Sequence, residues 1–220
     1  MAEWLNSAFA GLDGGVFRAL NVINCEFLNV FCKYFSYIGE KGIPLILVGL
    51  ILCCFSKTRK IGVGVLLGIA VGAVFTNLLI KNIVARPRPY VSSTEFNGFW
   101  QASGAVEESE FSFPSGHTTA TTAFAVAIFL LCDKKWSWTA LLGALIMGFC
   151  RIYLVVHYTT DVIAGLLVGS LAGVIAYYLV NFFYKLFQKY LNNKFCDFAL
   201  NRDITYLFKK EQPSKKEGEE

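Results

Sequence analysis

The chain has 220 residues, 55% of them hydrophobic and only 16% charged, with a formal net charge of +4. With a mean hydropathy of +0.50, these values exclude a soluble globular domain of this size and describe one integral membrane unit. The positive charge therefore bears on orientation in the bilayer, and no nucleic-acid partner is expected.

From the N-terminus, Phe17, Leu20, Phe27, Phe31, Tyr34 and Ile38 fall at helical spacing, while Arg18, Asn21, Glu26, Asn29 and Lys33 lie largely elsewhere. So many polar groups predict an amphipathic helix from Val16 to Ile38 lying in the membrane interface, within a lead-in of residues 1–40. A further transmembrane helix is the alternative. No basic n-region precedes an apolar core here, so no removable signal peptide is expected.

A membrane-embedded core is expected over residues 41–185, with about five spans. Gly42 to Phe55 is apolar but only about 21 Å long as a helix, against roughly 30 Å of hydrocarbon, and must borrow flanking residues. Ile61 to Ile80 is uncharged, glycine-rich and long enough to cross. Thr118 to Cys132, Trp136 to Val156 and Val162 to Tyr184 complete the set. The links Ser56-Lys57-Thr58-Arg59-Lys60 and Asp133-Lys134-Lys135 are basic, which assigns them to the cytoplasm. The end of the second span, the start of the third and the junction of the fourth and fifth then share the outer face. Residues 186–220 read as a basic, polar cytoplasmic tail, with Phe195, Phe198, Leu200, Ile204, Tyr206 and Leu207 in an amphipathic pattern and a disordered composition from Glu211 to Glu220. The seven cysteines show no metal spacing and read as small apolar residues.

Three polar groups gather on the outer face. In Lys81-Asn-Ile-Val-Ala-Arg86-Pro87-Arg88-Pro89, two prolines hold Arg88 extended, which lowers the entropy lost when its forked donors grip an oxyanion. The plainer alternative is a snorkelling Lys81, with Arg86 and Arg88 on lipid headgroups. In Phe113-Pro114-Ser115-Gly116-His117, proline, a serine cap and glycine open a helix whose first-turn amides suit an anion, beside an imidazole. In Arg151 to Asp161, an arginine that costs roughly 2.5 kcal/mol or more in a span demands an anion or a watery pocket. His157 is there paired with Asp161, which also serves as a helix cap. Lys81, Arg88 and Arg151, with the amides near Ser115 and Gly116, suit a phosphate or diphosphate. His117 and His157, the only histidines, supply an acid and a nucleophile. The acids Glu95, Glu107, Glu108 and Glu110 are scattered in sequence, so chemistry without a metal or cofactor is expected. The loop from Tyr90 to Phe113, with Phe96, Phe99, Trp100, Phe111 and Phe113, reads either as a gate dipping into the interface or as an ordinary interfacial loop.

In that order, Lys81-x6-Arg88-Pro89, Pro114-Ser115-Gly116-His117 and Arg151-x5-His157-x3-Asp161 resemble the three-part signature of the type 2 phosphatidic acid phosphatase family of membrane phosphatases. The resemblance runs from Gly42 to Tyr184. It implies an all-α polytopic bundle with a core like that of soluble acid phosphatases and vanadium haloperoxidases. It also implies that His157 becomes phosphohistidine, that Asp161 is its partner and that His117 is the acid for the leaving group. Lys81, Arg88, Ser115, Gly116 and Arg151 would hold the phosphoryl oxygens. Cys150 stands where the family usually has serine and Thr159 where proline is common, and neither change removes a group the chemistry requires. The similarity to small bacterial members favours five spans, an outside N-terminus and a site on the extracytoplasmic side of the plasma membrane. Undecaprenyl diphosphate is the first candidate substrate, followed by phosphatidylglycerol phosphate, phosphatidate and lysophosphatidate. Two other readings stay open: a carrier that binds an anionic lipid or phosphate without cleaving it, and vanadate-dependent halide oxidation.

Overall fold

Every regular element in this computed structural model, which describes residues 1–190, is helical. Nearly all of the expected tail, with Cys196, the Phe195 to Leu207 pattern and the segment from Glu211 onward, lies outside the described residues. Helices α1 (Ala2–Ala8), α2 (Ala10–Val22) and α3 (Glu26–Ile38) lead into α4 (Ile43–Cys53). Next, α5 (Arg59–Ala73) runs through a π-helical stretch, Val74–Ile80, into α6 (Lys81–Val84). The short α7 (Pro89–Ser92) and α8 (Thr94–Ser103) precede α9 (Gly116–Leu131), α10 (Lys134–Tyr153) and α11 (Thr159–Lys189).

A helix lies at each of the segments expected to span. By length and composition Glu26–Cys53, Arg59–Ser92 and Thr159–Lys189 are apolar enough to cross a membrane, and Gly116–Leu131 is a shorter apolar helix. The short segment at Gly42 to Phe55 thus finds its added length in α3, although the path turns at Lys41 and Gly42, where φ is 48° and 71°. Outward side chains such as Ile51, Leu78 and Leu167 are apolar and exposed, as a lipid-facing surface requires.

Small residues bring the central helices together. Gly165, Gly169 and Gly173 recur every fourth residue on one face of α11. A Cβ at Gly169 would lie 2.6 Å from the Thr119 carbonyl oxygen, and one at Gly173 would lie 3.0 Å from that of Ala123. Helix α11 therefore packs on the backbone of α9, parallel to it. On α5, Gly64 faces Leu131 and Val180, Gly68 faces Ala123 and Ala176, and Gly72 faces Thr119 and Ala172. The reversed order makes α5 antiparallel to both. As a result Lys81, the start of α9 and the start of α11 share one end of the bundle, and both basic links lie at the other.

The N-terminal lead-in departs from the single interfacial helix expected between Val16 and Ile38. It breaks at Ile23–Cys25 into α2 and α3, and two of its polar residues are paired within the protein. Arg18 donates to both Glu95 oxygens at 2.8 and 2.9 Å, and Asn29 accepts from the Tyr153 hydroxyl at 2.9 Å. While α3 advances from Cys25 to Gly39, its neighbour on α10 changes only from Tyr153 to Met147, so the two helices cross obliquely. The aromatic loop is likewise packed and not free. Phe96 lies 4.9 Å from the buried Phe17 ring, and Trp100 stacks on Tyr90 at 4.7 Å. Only Phe111 among the large residues named in that loop is well exposed. The six described cysteines are free thiols, with Cys32 and Cys150 buried in one apolar cluster.

Candidate active site

The local sequence delivers each polar group to the same end of the bundle. The wide turns of the π-helix alter which side chains face inward, and Thr76, Asn77 and Lys81 line a common cavity. Ala85, with φ 49°, stops α6, and the two prolines leave Arg88 extended at φ −72°, ψ 154°. Ser115 is the N-cap of α9 and accepts a hydrogen bond from the Thr118 amide at 3.4 Å.

Helix α10 ends by folding back on itself. The Arg151 carbonyl accepts from the Val156 and His157 amides, both at 3.3 Å, which fixes the five-residue gap between the arginine and the histidine. Val155 turns the chain at a left-handed φ of 56°, a strained state for a β-branched residue. Asp161 then enters the first turn of α11, where its Oδ2 accepts from the Tyr158 amide at 2.9 Å. The Asp161 carbonyl accepts from the Ser115 amide at 3.1 Å, tying the starts of α9 and α11 together.

Lys81, Arg88, Gly116, His117 and His157 line one cavity of about 290 Å³. Part of its lining, from Gly42, Ile69, Gly72, Ala73 and Ala120, is apolar. Ser115 and Asp161 stand behind this lining, both fully buried. A Cβ at Gly116 would point at the Lys81 ammonium, 3.8 Å away.

The tautomer of His157 follows from its partners. Nδ1 lies 2.8 Å from the Ser112 carbonyl oxygen, which can only accept, so Nδ1 carries the proton and Nε2 keeps its lone pair. Nε2 is 3.2 Å from an Arg88 Nη1. Full burial, reinforced by the charges of Arg88 and Arg151 and opposed by Glu108, pushes the ring well below the usual imidazole value. It is therefore neutral near pH 7. The direct bond expected between His157 and Asp161 is not formed. Ser112, which the sequence reading passed over, stands between them and donates its hydroxyl to Asp161 Oδ2.

Arg151 is buried and reaches the site through Glu108, not through the cavity wall. Glu108 binds Arg151 with one oxygen and Arg88 with the other, at 3.4 Å for Arg88, while Glu110 pairs with Lys81 and Glu40 lies 3.4 Å from His117 Nε2. Two of the acids that looked scattered in sequence, Glu108 and Glu110, thus converge on the cations, while Glu95 pairs with Arg18 instead. Burial works against ionisation of Glu108, but the two guanidiniums prevail and hold its carboxyl down at about 2. The Nε of Arg151 has no hydrogen-bond partner among the described residues.

A second group escaped the sequence reading. Arg86, given there only a place at headgroups, is 1% exposed and binds both Asp161 and Asp13. The available signal was Asp13 itself, a lone carboxylate in the apolar run Ala10–Val22 that must find a cation when buried. Among the described residues no cluster of His, Cys, Asp and Glu forms a metal site.

Comparison with known proteins extends these observations. A family model described as the PAP2 superfamily matches residues 61–185. An undecaprenyl-diphosphatase of Sulfolobus acidocaldarius is 29% identical over 73% of this chain and 74% of its own length. The undecaprenyl-diphosphatase BcrC of Bacillus subtilis is 33% identical over 47% of this chain, an alignment that spans half of that relative. Among solved structures, a transmembrane PAP2-type phosphatidylglycerolphosphate phosphatase from Bacillus subtilis superposes with a TM-score of 0.63 at 27% identity, covering 81% of this chain and 87% of that one.

Proposed function

The chain belongs to the PAP2 superfamily and is a phosphatase of the bilayer; from that premise we propose that it removes the terminal phosphate of undecaprenyl diphosphate on the extracytoplasmic side, through phosphohistidine at His157. The observation that carries this reading is the joint presence in one cavity of two histidines and the cations Lys81 and Arg88, with Nε2 of His157 unprotonated.

In the first step the Nε2 lone pair attacks the terminal phosphorus. The bond from that phosphorus to the bridging oxygen breaks and its electron pair stays on the oxygen. Burial and the Arg151 charge hold the His117 pKa down at about 3 in the free protein, so His117 must take up its proton alongside the anionic substrate before donating it to that oxygen. Lys81 and Arg88, with Gly116 at the start of α9 capped by Ser115, neutralise the equatorial oxygens, and Arg151 joins them once the phosphoryl group displaces Glu108. Asp161, through Ser112, holds the imidazole and offsets the positive charge it gains. In the second step water attacks phosphorus and passes its proton to neutral His117. The N–P bond then returns its electrons to Nε2, and inorganic phosphate leaves.

The substrate assignment is supported by two relatives named undecaprenyl-diphosphatase and by the apolar part of the lining, which suits the first carbons of a lipid whose headgroup meets the cations. The outer-face assignment is supported by the two basic links, which lie opposite the site. Carriage without hydrolysis explains the cations but leaves two histidines in one cavity without a task.

The test is phosphate release by purified protein in detergent with EDTA, from undecaprenyl diphosphate, phosphatidylglycerol phosphate and phosphatidate in parallel, with His157→Ala as the blank. The expected result is metal-free release, fastest from undecaprenyl diphosphate, and acid-labile phosphate on the wild-type chain alone. Undiminished release by the mutant refutes the mechanism, and a faster rate with either other lipid reassigns the substrate.

A further inference from the structure

The Arg86 cluster has no task in the two steps above, yet it is built around one of their groups. We propose that Arg86 and Asp13 are positioning residues that lock the Asp161 carboxylate and preserve its charge for His157, an inference that rests on His157 being the nucleophile.

The Arg86 guanidinium is spent entirely inside the protein. Its Nε donates to Asn6 Oδ1 at 2.8 Å, Nη1 to Thr160 Oγ1 at 2.7 Å and to Asp161 Oδ1 at 2.6 Å, and Nη2 to Asp13 Oδ2 at 2.9 Å. Its carbon lies 3.6 Å from the centre of the Tyr158 ring. Asp161 is consequently held at both oxygens, Oδ1 by Arg86 and Oδ2 by Ser112 and the Tyr158 amide. Oδ2 is the oxygen nearest His157 Nδ1, at 3.7 Å. No rotation of the carboxylate is free.

Charge gives Asp13 its purpose. A guanidinium paired with Asp161 alone would cancel the negative potential that an imidazole needs when it becomes cationic on bonding to phosphorus. Asp13, 2% exposed, takes the other edge of Arg86 and also accepts from the Thr160 amide at 3.1 Å. Two carboxylates then share one guanidinium, and one unit of negative charge stays buried behind His157. Asn6 and Asp13 precede residues 61–185, the segment matched by the family model. The N-terminal helices of this chain therefore support the site from outside that segment.

The experiment uses full-length protein in detergent and compares Asp13→Asn, Arg86→Lys and Arg86→Gln with wild type and His157→Ala. The expected result is a kcat lower by about 10- to 100-fold in Asp13→Asn and Arg86→Gln, with Arg86→Lys recovering part of the loss. KM and inhibition by inorganic phosphate should stay within about twofold of wild type, because Lys81, Arg88 and Arg151 are untouched. Asp13→Asn changes charge without changing shape, so it reports even if the Arg86 variants do not fold. Wild-type kcat in folded Asp13→Asn overturns the inference, and so does a kcat loss matched by weaker phosphate inhibition, which is the mark of a general structural tie. Activity that survives His157→Ala defeats the functional reading itself, and this inference with it. Loss in His157→Ala with full activity in Asp13→Asn defeats this inference alone.

Discussion

Nδ1 of His157 stands 3.7 Å from Oδ2 of Asp161, beyond direct hydrogen-bond range, and Ser112 fills the gap. The pair thus works through an intermediary, whose carbonyl fixes the ring and whose hydroxyl fixes the carboxylate. Ser112→Ala keeps the carbonyl and removes the hydroxyl. It should lower kcat about tenfold, whereas Asp161→Asn, which removes the charge, should cost about 1,000-fold or more. Equal losses in steady-state assays would mean that charge on Asp161 contributes nothing beyond its hydrogen bonds.

Glu108 occupies with its two oxygens the guanidiniums that a phosphoryl group would need. Its carboxyl, held at about 2, remains ionised throughout the neutral range, so substrate competes with a permanent anion. Glu108→Gln should tighten inhibition by inorganic phosphate about three- to tenfold, because a larger fraction of the protein is ready to bind. Weaker inhibition would instead make Glu108 part of the support for Arg88 and Arg151.

With only two histidines in the chain, their titration can be followed directly by NMR of isotope-labelled histidine, with His157→Ala to assign the signals. Burial and two neighbouring guanidiniums lower the His157 value, while Glu108 opposes them. The sign follows from the neutral form being favoured: protonation must occur below the roughly 6.5 of free imidazole. The ring should therefore be neutral at neutral pH. A His157 signal that titrates at or above 6.5 would contradict the buried, neutral imidazole that the proposed mechanism requires.

Gly169 and Gly143 make a paired test of the packing. A Cβ at Gly169 meets the Thr119 carbonyl at 2.6 Å and the Thr122 Cβ at 2.7 Å, while one at Gly143 meets nothing within 4 Å. Gly169→Ala should cost about 1–3 kcal/mol by forcing α11 off α9. Gly143→Ala should be neutral or stabilising by up to about 1 kcal/mol through helix propensity. Thermal unfolding in detergent checks both, and equal shifts would show that the close approach at Gly169 carries no weight.

Much of the site was legible because its residue types are improbable where they stand. Arg151 at the end of an apolar segment, Arg88 between prolines and the only two histidines each conflict with their local surroundings, and the conflict marks function. Helix positions were legible for a related reason, since a membrane core imposes long apolar runs that are readable without any partner. The N-terminal helices were harder. Asn29 and Arg18 read as the polar face of an interfacial helix, and Asp13 draws no notice, until Tyr153, Glu95 and Arg86 are brought to them from far along the chain.

The sequence by itself determined the helical membrane class, the two histidines and the cations that accompany them, because composition and local spacing carry those facts. Only the tertiary structure decided that Ser112 intervenes between His157 and Asp161, that Glu108 and Glu110 fold onto the cations, and that Asp13 reaches Arg86 across 73 residues. Burial is the reason. In a low-dielectric interior every charge must find a partner, but which partner depends on how the helices cross, and no local pattern along the chain records the crossing.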